Sequence, residues 1–181
     1  FGTWQPGTLG ATAELTDPGL VRLVTAAGGI LAADRLAWLR QAVASDQQAW
    51  RTHFGIGHDP SGLEAEINVL RYRPASIVVR VETDDAAAVL REASAAMITG
   101  AKARFSFRTV PGPELAELLG SHGLIVEVRE DERFDPQARG RIRYLGDRDL
   151  LTAVQGSIDV SVYAGPSIQT GRLALLPYVH E

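Results

Sequence analysis

From residue 77 onward the sequence alternates between short strand-like runs, beginning with the β-branched IVVRV, and helical segments, and this alternation limits the fold more than any other feature. Connections this short predict right-handed strand–helix–strand units, which build a parallel sheet with helices on both faces. We therefore expect a Rossmann-like, mostly parallel α/β domain of five or six strands over residues 77–181. The predicted strands are IVVRV (77–81), ARFSF (103–107), LIVEV (124–128), RIRYL (141–145), IDVSVY (158–163) and, as a sixth, RLALL (172–176).

The helices between these strands are predicted from their end signals. Asp84 is expected to cap the first helix and Gly100 to end it, because a carboxylate at the start and a glycine at the end satisfy free backbone groups. A short helix opens at Pro113, and Asp147 is expected to cap another.

The first 76 residues divide into three parts. Residues 1–16 lack periodicity and are predicted to be an extended arm or linker. Asp17 and Pro18 start a helix that Gly28 and Gly29 stop, and a second helix begins near Asp34, so residues 17–57 are predicted to form a helical hairpin. Residues 58–76 then form a joint to the α/β domain. Since the chain opens on Phe rather than Met, we expect it to be a piece of a longer polypeptide.

Composition excludes several kinds of site. The 181 residues contain no cysteine, which rules out disulfides, cysteine–zinc sites and thiolate nucleophiles. The four histidines show no metal-binding spacing. A net charge of −4 argues against a nucleic-acid partner, and no apolar run is long enough for a membrane span. The sequence therefore predicts no metal, no nucleic-acid partner and no membrane span.

Ligand-binding motifs were sought where parallel strands end, because such sheets bind ligands there. The segment VETDD (81–85) lacks the glycines of a dinucleotide fingerprint. The segment GPSIQTG (165–171) is interpreted as a plain loop, with an anion-binding nest as the alternative. The acidic run of Glu127, Glu130, Asp131 and Glu132 alternates with arginines and is typical of a solvated face. No positioned nucleophile and base emerge, so we expect no catalytic and no cofactor-binding residue in this chain.

The joint carries the strongest candidates for contact with another domain. They are polar or amphipathic groups within eight positions: Glu66, Asn68, Arg71, Tyr72 and Arg73. Two arginines around a tyrosine suit bidentate contacts to carboxylates or carbonyl groups. Three interpretations stay open: internal Arg–Glu pairs, a partner surface, or an anion site.

Three segments carry a family resemblance: HDPSGLEAEINVLRYRP (58–74), IVVRVETDD (77–85) and GRLALLPYVHE (171–181). They resemble the C-terminal region of long actinobacterial 1-pyrroline-5-carboxylate dehydrogenases, which belong with the proline utilization A family of bifunctional proline dehydrogenases. The most specific piece is GLEAEINVLRYRP, whereas the α/β part is generic.

The resemblance implies a non-catalytic domain of the aldehyde dehydrogenase superfamily type in a cytoplasmic enzyme of proline catabolism. Its partner would be the upstream aldehyde dehydrogenase module of the same polypeptide, which this domain would cover. No cofactor would bind this chain, while NAD, and FAD in bifunctional members, would bind elsewhere in the parent. The alternative is an independent Rossmann-like domain that binds a nucleotide or another small molecule at VETDD and GPSIQTG.

Overall fold

A five-stranded parallel sheet forms the centre of the computed structural model, which describes residues 14–59, 61–66, 68–131, 134–135, 140–154 and 157–181. The strands are β2 (Ser76–Val81), β3 (Lys102–Phe107), β4 (Ile125–Val128), β5 (Gly140–Leu145) and β6 (Val160–Tyr163). Their spatial order is β4-β3-β2-β5-β6, so the strand order reverses between β2 and β5. This confirms the Rossmann-like prediction. A separate antiparallel pair joins β1 (Arg73–Pro74) to β7 (Val179–His180).

Helices lie on both faces of the sheet but cover them unequally. Val79 and Phe105, both 0% exposed, belong to one large core with the first four helices. On the opposite face, Leu150 of the single-turn α5 packs on Ile142 and Tyr144. The helices are α1 (Pro18–Ala27), α2 (Ala33–Ala49), α3 (Ala86–Thr99), α4 (Pro113–Ser121), α5 (Leu150–Ala153) and α6 (Gly171–Ala174).

Helices α1 and α2 lie within residues 17–57, the segment predicted as a helical hairpin. Asp17 accepts a hydrogen bond from the Leu20 amide at 2.9 Å, as its capping role requires. A π-helical turn, Trp50–Phe54, extends α2, and Gly55 caps it. Buried residues of the hairpin, such as Leu23 and Val43, share a core with the sheet. None of the helices in the described ranges is long and apolar enough to cross a membrane.

Two of the predicted caps are shifted along the chain. Asp85, not Asp84, caps α3, because its carboxylate accepts from the amides of Ala87 and Ala88. Asp149 rather than Asp147 accepts the Thr152 amide at the start of α5. In both cases the helix is capped by the aspartate whose carboxylate reaches the free amides of the first helical turn.

The prediction of a sixth strand at RLALL (172–176) is wrong. This segment forms α6, and a 3₁₀ turn, Leu176–Tyr178, follows it. Leu175 and Tyr178 are both 0% exposed and stand three residues apart, which is the helical spacing for side chains on one face. Pro177, which has no N–H to give to a strand ladder, sits between them.

Candidate functional site

A cleft of about 410 Å³ opens at the carboxyl ends of β2, β5 and β6, next to the point where the strand order reverses. Open α/β sheets bind their ligands at this position. The cleft is therefore the place to test whether the fold holds a ligand. Its lining includes Arg35, Trp38, Thr83, Asp85, Gly146, Asp147, Gly165, Pro166 and Ser167.

The helix N-terminus beside this cleft is occupied by the protein's own carboxylate. Asp85 accepts from the amides of Ala87 at 3.0 Å and Ala88 at 3.2 Å. The Arg35 guanidinium pairs with the same carboxylate and lies 5.0 Å from the centre of the Trp38 ring. A phosphate bound at a helix N-terminus would use the amides that Asp85 already satisfies. The local chemistry therefore disfavours a dinucleotide.

Carbonyl oxygens at the end of β6 and in the loop after it accept hydrogen bonds from two buried arginines. Arg143 donates to the carbonyls of Tyr163 at 3.0 Å and Gly165 at 2.9 Å. Arg91 donates through Nε to the Ile168 carbonyl at 2.8 Å. An anion-binding nest needs successive N–H groups that converge on the ligand. The arginines thus hold GPSIQTG in an arrangement that does not favour the anion-binding alternative.

A buried ion pair joins the helical hairpin to the α/β unit. Arg91 of α3 donates to both carboxylate oxygens of Asp46 in α2, at 2.5 and 2.7 Å, and both side chains are fully buried. Ser94 lies within 3.4 Å of each partner. Burial raises the pKa of Asp46 to about 7, while the Arg91 guanidinium acts in the opposite direction. Both oxygens of the Asp46 carboxylate are hydrogen-bonded to Arg91, so this carboxylate is not available to bind a ligand.

The neighbouring carboxylate, Glu92, is also saturated by internal partners. It accepts from Arg143 at 3.0 Å, from the Ser167 hydroxyl at 2.6 Å and from the Tyr178 hydroxyl at 2.8 Å. Burial, together with the adjacent Glu92 charge, raises the pKa of Tyr178 well above its ordinary value. Glu92 therefore ties α3 to β5, to the loop after β6 and to the C-terminal segment.

A second arginine cluster lies at the carboxyl ends of β2 and β5. Arg80 is 0% exposed and donates to Glu82 at 2.9 Å, to Asp131 at 2.9 Å and to the Arg129 carbonyl at 2.6 Å. Arg148 covers Glu82 from the solvent side, with Nε 2.6 Å from the carboxylate. Asp131, a described member of the acidic run, therefore has a structural role. It binds Arg80 instead of lying unpaired on a solvated face.

Burial raises the pKa of Glu82, but hydrogen bonds from Arg148, Arg80 and Tyr144 outweigh it, so the net shift is downward. The same carboxylate raises the pKa of Arg148. Such a group stays ionised and hydrogen-bonded at neutral pH, which suits a structural anchor better than a general acid or base. Within the described ranges, no group of three or more His, Asp or Glu side chains could hold a metal ion.

The joint places its candidate side chains at the surface. Glu66, Asn68, Arg71 and Arg73 are exposed, while Tyr72 is half-buried and meets the Phe54 ring edge-on at 4.8 Å. Asn68 donates to the Ser61 hydroxyl at 3.1 Å.

The two arginines of the joint have no counter-charge among the residues that the structure describes. Neither Arg71 nor Arg73 makes an ion pair with any of them, so internal Arg–Glu pairs, one of the three interpretations, are not seen in the described ranges. Apolar neighbours are exposed too: Ile56 by 45%, Leu63 by 55% and Val69 by 47%. The joint thus combines free cations with exposed aliphatic groups.

Sequence reasoning did not single out the buried charges that join the elements of the fold. A signal was present, since Arg80 interrupts the apolar run IVVRV and Arg91–Glu92 interrupts the alanine-rich α3. A charge inside such a run predicts a buried, paired group. Its partners could not be named, because Asp46 lies 45 residues from Arg91 and Asp131 lies 51 from Arg80.

Comparison with known proteins gives a match in structure. No family model matches the sequence, and no curated protein matches it. The fold is similar to the structure of Proline Utilization A (PutA) from Corynebacterium freiburgense, with a TM-score of 0.58 and 24% sequence identity over 93% of this chain. The chain spans about 14% of the length of that protein. At this identity the likeness establishes the fold that the two share.

Proposed function

We propose that this chain is a non-catalytic domain of a larger proline-catabolic polypeptide. Its parent would be an NAD-dependent dehydrogenase of L-glutamate γ-semialdehyde, the open form of 1-pyrroline-5-carboxylate. The observation that carries the proposal is that the buried carboxylates of Asp46, Glu82 and Glu92 are bound by the protein's own arginines. A fold shared with a small part of PutA agrees with such a role.

The partner in this proposal is the aldehyde dehydrogenase module upstream in the same polypeptide. That module would bind NAD and supply the cysteine nucleophile, which this chain lacks altogether. FAD would belong to a proline dehydrogenase module where the parent carries one. The present domain would hold neither cofactor.

The contribution of this domain would be to cover the active module and retain the semialdehyde. Closing a site excludes water and keeps a reactive intermediate from escaping before the next step. It also holds the intermediate near its catalytic groups, which raises its effective concentration. A rigid body suits this task, and the buried ion pairs that join α2, α3 and β5 provide one.

The joint is the surface proposed to contact the catalytic module, through Glu66, Asn68, Arg71, Tyr72 and Arg73. Arg71 and Arg73 offer guanidinium groups to carboxylates or carbonyls of the partner. The exposed Leu63 and Val69 add apolar area beside them. Exposed aliphatic side chains next to polar groups are typical of a surface that another protein covers.

Adding the chain in trans to a parent enzyme that lacks this segment tests the proposal. We expect the chain to bind and to lower the amount of semialdehyde that a trapping amine captures from solution. The double variant Arg71→Glu, Arg73→Glu should lose both effects. The matched control, Arg22→Glu with Arg40→Glu, changes two exposed arginines of the helical hairpin and should retain them. Absence of binding by the unaltered chain, with no change in trapping, would contradict the proposal.

A further inference from the structure

On strands β2 and β3, the second face of the sheet, opposite the α1–α4 core, is covered by described residues only toward the carboxyl ends. Strand register places Val78 and Arg80 of β2 on this face, beside Arg104 and Ser106 of β3. Arg80 and Ser106, toward the carboxyl ends, are 0% exposed. Arg104, toward the amino ends, is exposed, and Val78 is half-buried. The boundary between covered and open surface therefore lies between Val78 and Arg80.

The open half is a basic shelf, defined here as Ser76, Val78, Lys102, Arg104 and Ile125. These residues lie on one face because Ser76 pairs with Lys102, Val78 with Arg104, and Arg104 with Ile125. They line a depression of about 640 Å³. Ile125 is 58% exposed, although it lies in a strand of the central sheet. The shelf thus has an apolar floor and two cations.

The cations of the basic shelf have no counter-charge in the part of the chain that the structure describes. Neither Lys102 nor Arg104 forms an ion pair with a described residue, and no acidic residue lines the depression. The nearest acid along β4 on this face, Glu127, is bound by Arg129 at 3.0 Å. This concentration of positive charge occurs in a chain whose net charge is −4.

Parallel sheets are normally covered by helices on both faces, because their strands are apolar on both sides. We propose that the basic shelf is a docking site for an acidic amphipathic helix of a partner protein. Carboxylates at positions i and i+4 of a helix are about 6 Å apart along its axis. Lys102 and Arg104, two residues apart on one strand, are separated by about 6.6 Å. A helix lying along β3 would therefore place one carboxylate near each cation.

The remaining contacts of such a helix would be aliphatic. Val78 and Ile125 flank the two cations on neighbouring strands, so leucine or isoleucine side chains beside the carboxylates would cover them. Nucleic acid fits less well, because its affinity depends on many cation–phosphate contacts and the shelf offers two free cations. This inference stands independently of the proposed role in proline catabolism.

Lys102 gives the test a specific readout, because it is the only lysine in the sequence. The probe is a helical peptide of about 18 residues, long enough to hold its helix, with Glu pairs at i and i+4 and leucines on the same face. We expect it to slow acetylation of Lys102 by acetic anhydride roughly tenfold, since two ion pairs and apolar contacts shield the amine. A peptide with Lys in place of Glu should give no protection.

Charge reversal and two variants of β4 complete the design. The double variant Lys102→Glu, Arg104→Glu should no longer bind the peptide with Glu pairs (the Glu peptide). It should instead bind the peptide with Lys in place of Glu (the Lys peptide), as measured by fluorescence anisotropy. Ile125→Ser should weaken binding, whereas Val128→Ser, a 47% exposed residue on the opposite face of the same strand, should not. Circular dichroism checks that each variant is folded.

The proposal is overturned if the two peptides bind equally or if the Glu peptide leaves Lys102 unprotected. Preference for a single-stranded oligonucleotide over the Glu peptide would also overturn it. So would self-association of the chain through Lys102 and Arg104, because a second copy would then be the occupant.

Discussion

At the residue scale, buried guanidinium groups organise the molecule. Arg80 and Arg91 are the two largest side chains that are fully buried, and each donates to at least one carboxylate. A buried charge is tolerated when it is paired and its remaining hydrogen-bond donors are satisfied. Arg80 also donates to the Arg129 carbonyl, and Arg91 donates to the Ile168 carbonyl. Each arginine therefore fixes the position of a loop as well as that of a partner side chain.

Replacing Asp46 should strongly destabilise the protein. The variant Asp46→Asn removes the charge that compensates Arg91, and breaking a buried ion pair in this way lowers the free energy of unfolding by about 3–5 kcal/mol. Urea denaturation at pH 8, above the pKa of about 7 for this carboxyl group, measures the change. Asp34→Asn, at an exposed position in the first turn of α2, is the control. A loss below about 1 kcal/mol would show that Arg91 does not depend on this partner.

Glu82 should make stability depend on pH in the acid range. Because its pKa is lowered in the folded state, the unfolded chain takes up the proton first as the pH falls. The contribution of Glu82 to the free energy of unfolding should therefore be constant above about pH 4.3, the ordinary pKa of Glu. It should decline as the pH falls from there through the lowered pKa. Denaturation between pH 3 and 6 should give a shallower slope for Glu82→Gln than for the unaltered chain. Equal slopes would be evidence against the lowered pKa.

At the element scale, local signals explain what could be predicted from the sequence. The five parallel strands follow short runs that contain β-branched or aromatic residues, and Asp17, Gly100 and Pro113 mark helix ends that depend only on nearby backbone groups. The segment 172–176 was wrongly predicted as a strand because its form is decided by long-range packing. Its leucines offer no clear strand or helix period, and Gly171 at its start packs closely against α2.

The cap of α3 provides a test within one pair of neighbouring residues. Asp85→Ala should lower the free energy of unfolding by about 1 kcal/mol, because the amides of Ala87 and Ala88 lose their acceptor. Asp84→Ala, next to it and exposed, should change stability by less than about 0.5 kcal/mol. Thermal and urea denaturation of both variants checks this. The reverse order of effects would assign the cap to Asp84.

The contact between α6 and α2 depends on a glycine. A Cβ atom at Gly171 would lie 2.4 Å from the Ser45 carbonyl oxygen, so Gly171→Ala should destabilise the protein by about 1–3 kcal/mol. Gly120, in α4, has open space at the same position, and Gly120→Ala should be neutral or stabilise by up to about 1 kcal/mol. Denaturant unfolding compares the two. Equal effects would mean that α6 can move away from α2 without loss.

At the scale of the whole molecule, long-range ion pairs hold the elements of the fold together. Asp46 with Arg91, Glu92 with Arg143, and Glu82 with Arg80 connect elements that are distant in the sequence. Local patterns predict the sheet and therefore where a ligand would bind, but which side chains meet there is decided by the assembled fold. The joint is the opposite case, since its arginines were singled out from the sequence and the structure shows both of them exposed.

Titration of the chain with NAD, followed by calorimetry, tests the central claim most directly. With Asp85 on the amides of α3 and arginines on the carbonyls after β6, we predict no saturable heat up to millimolar NAD, and no NADH formed when an aldehyde is added. A saturable isotherm with a dissociation constant below the millimolar range, or turnover of the aldehyde, would contradict the view that this sheet serves as a scaffold.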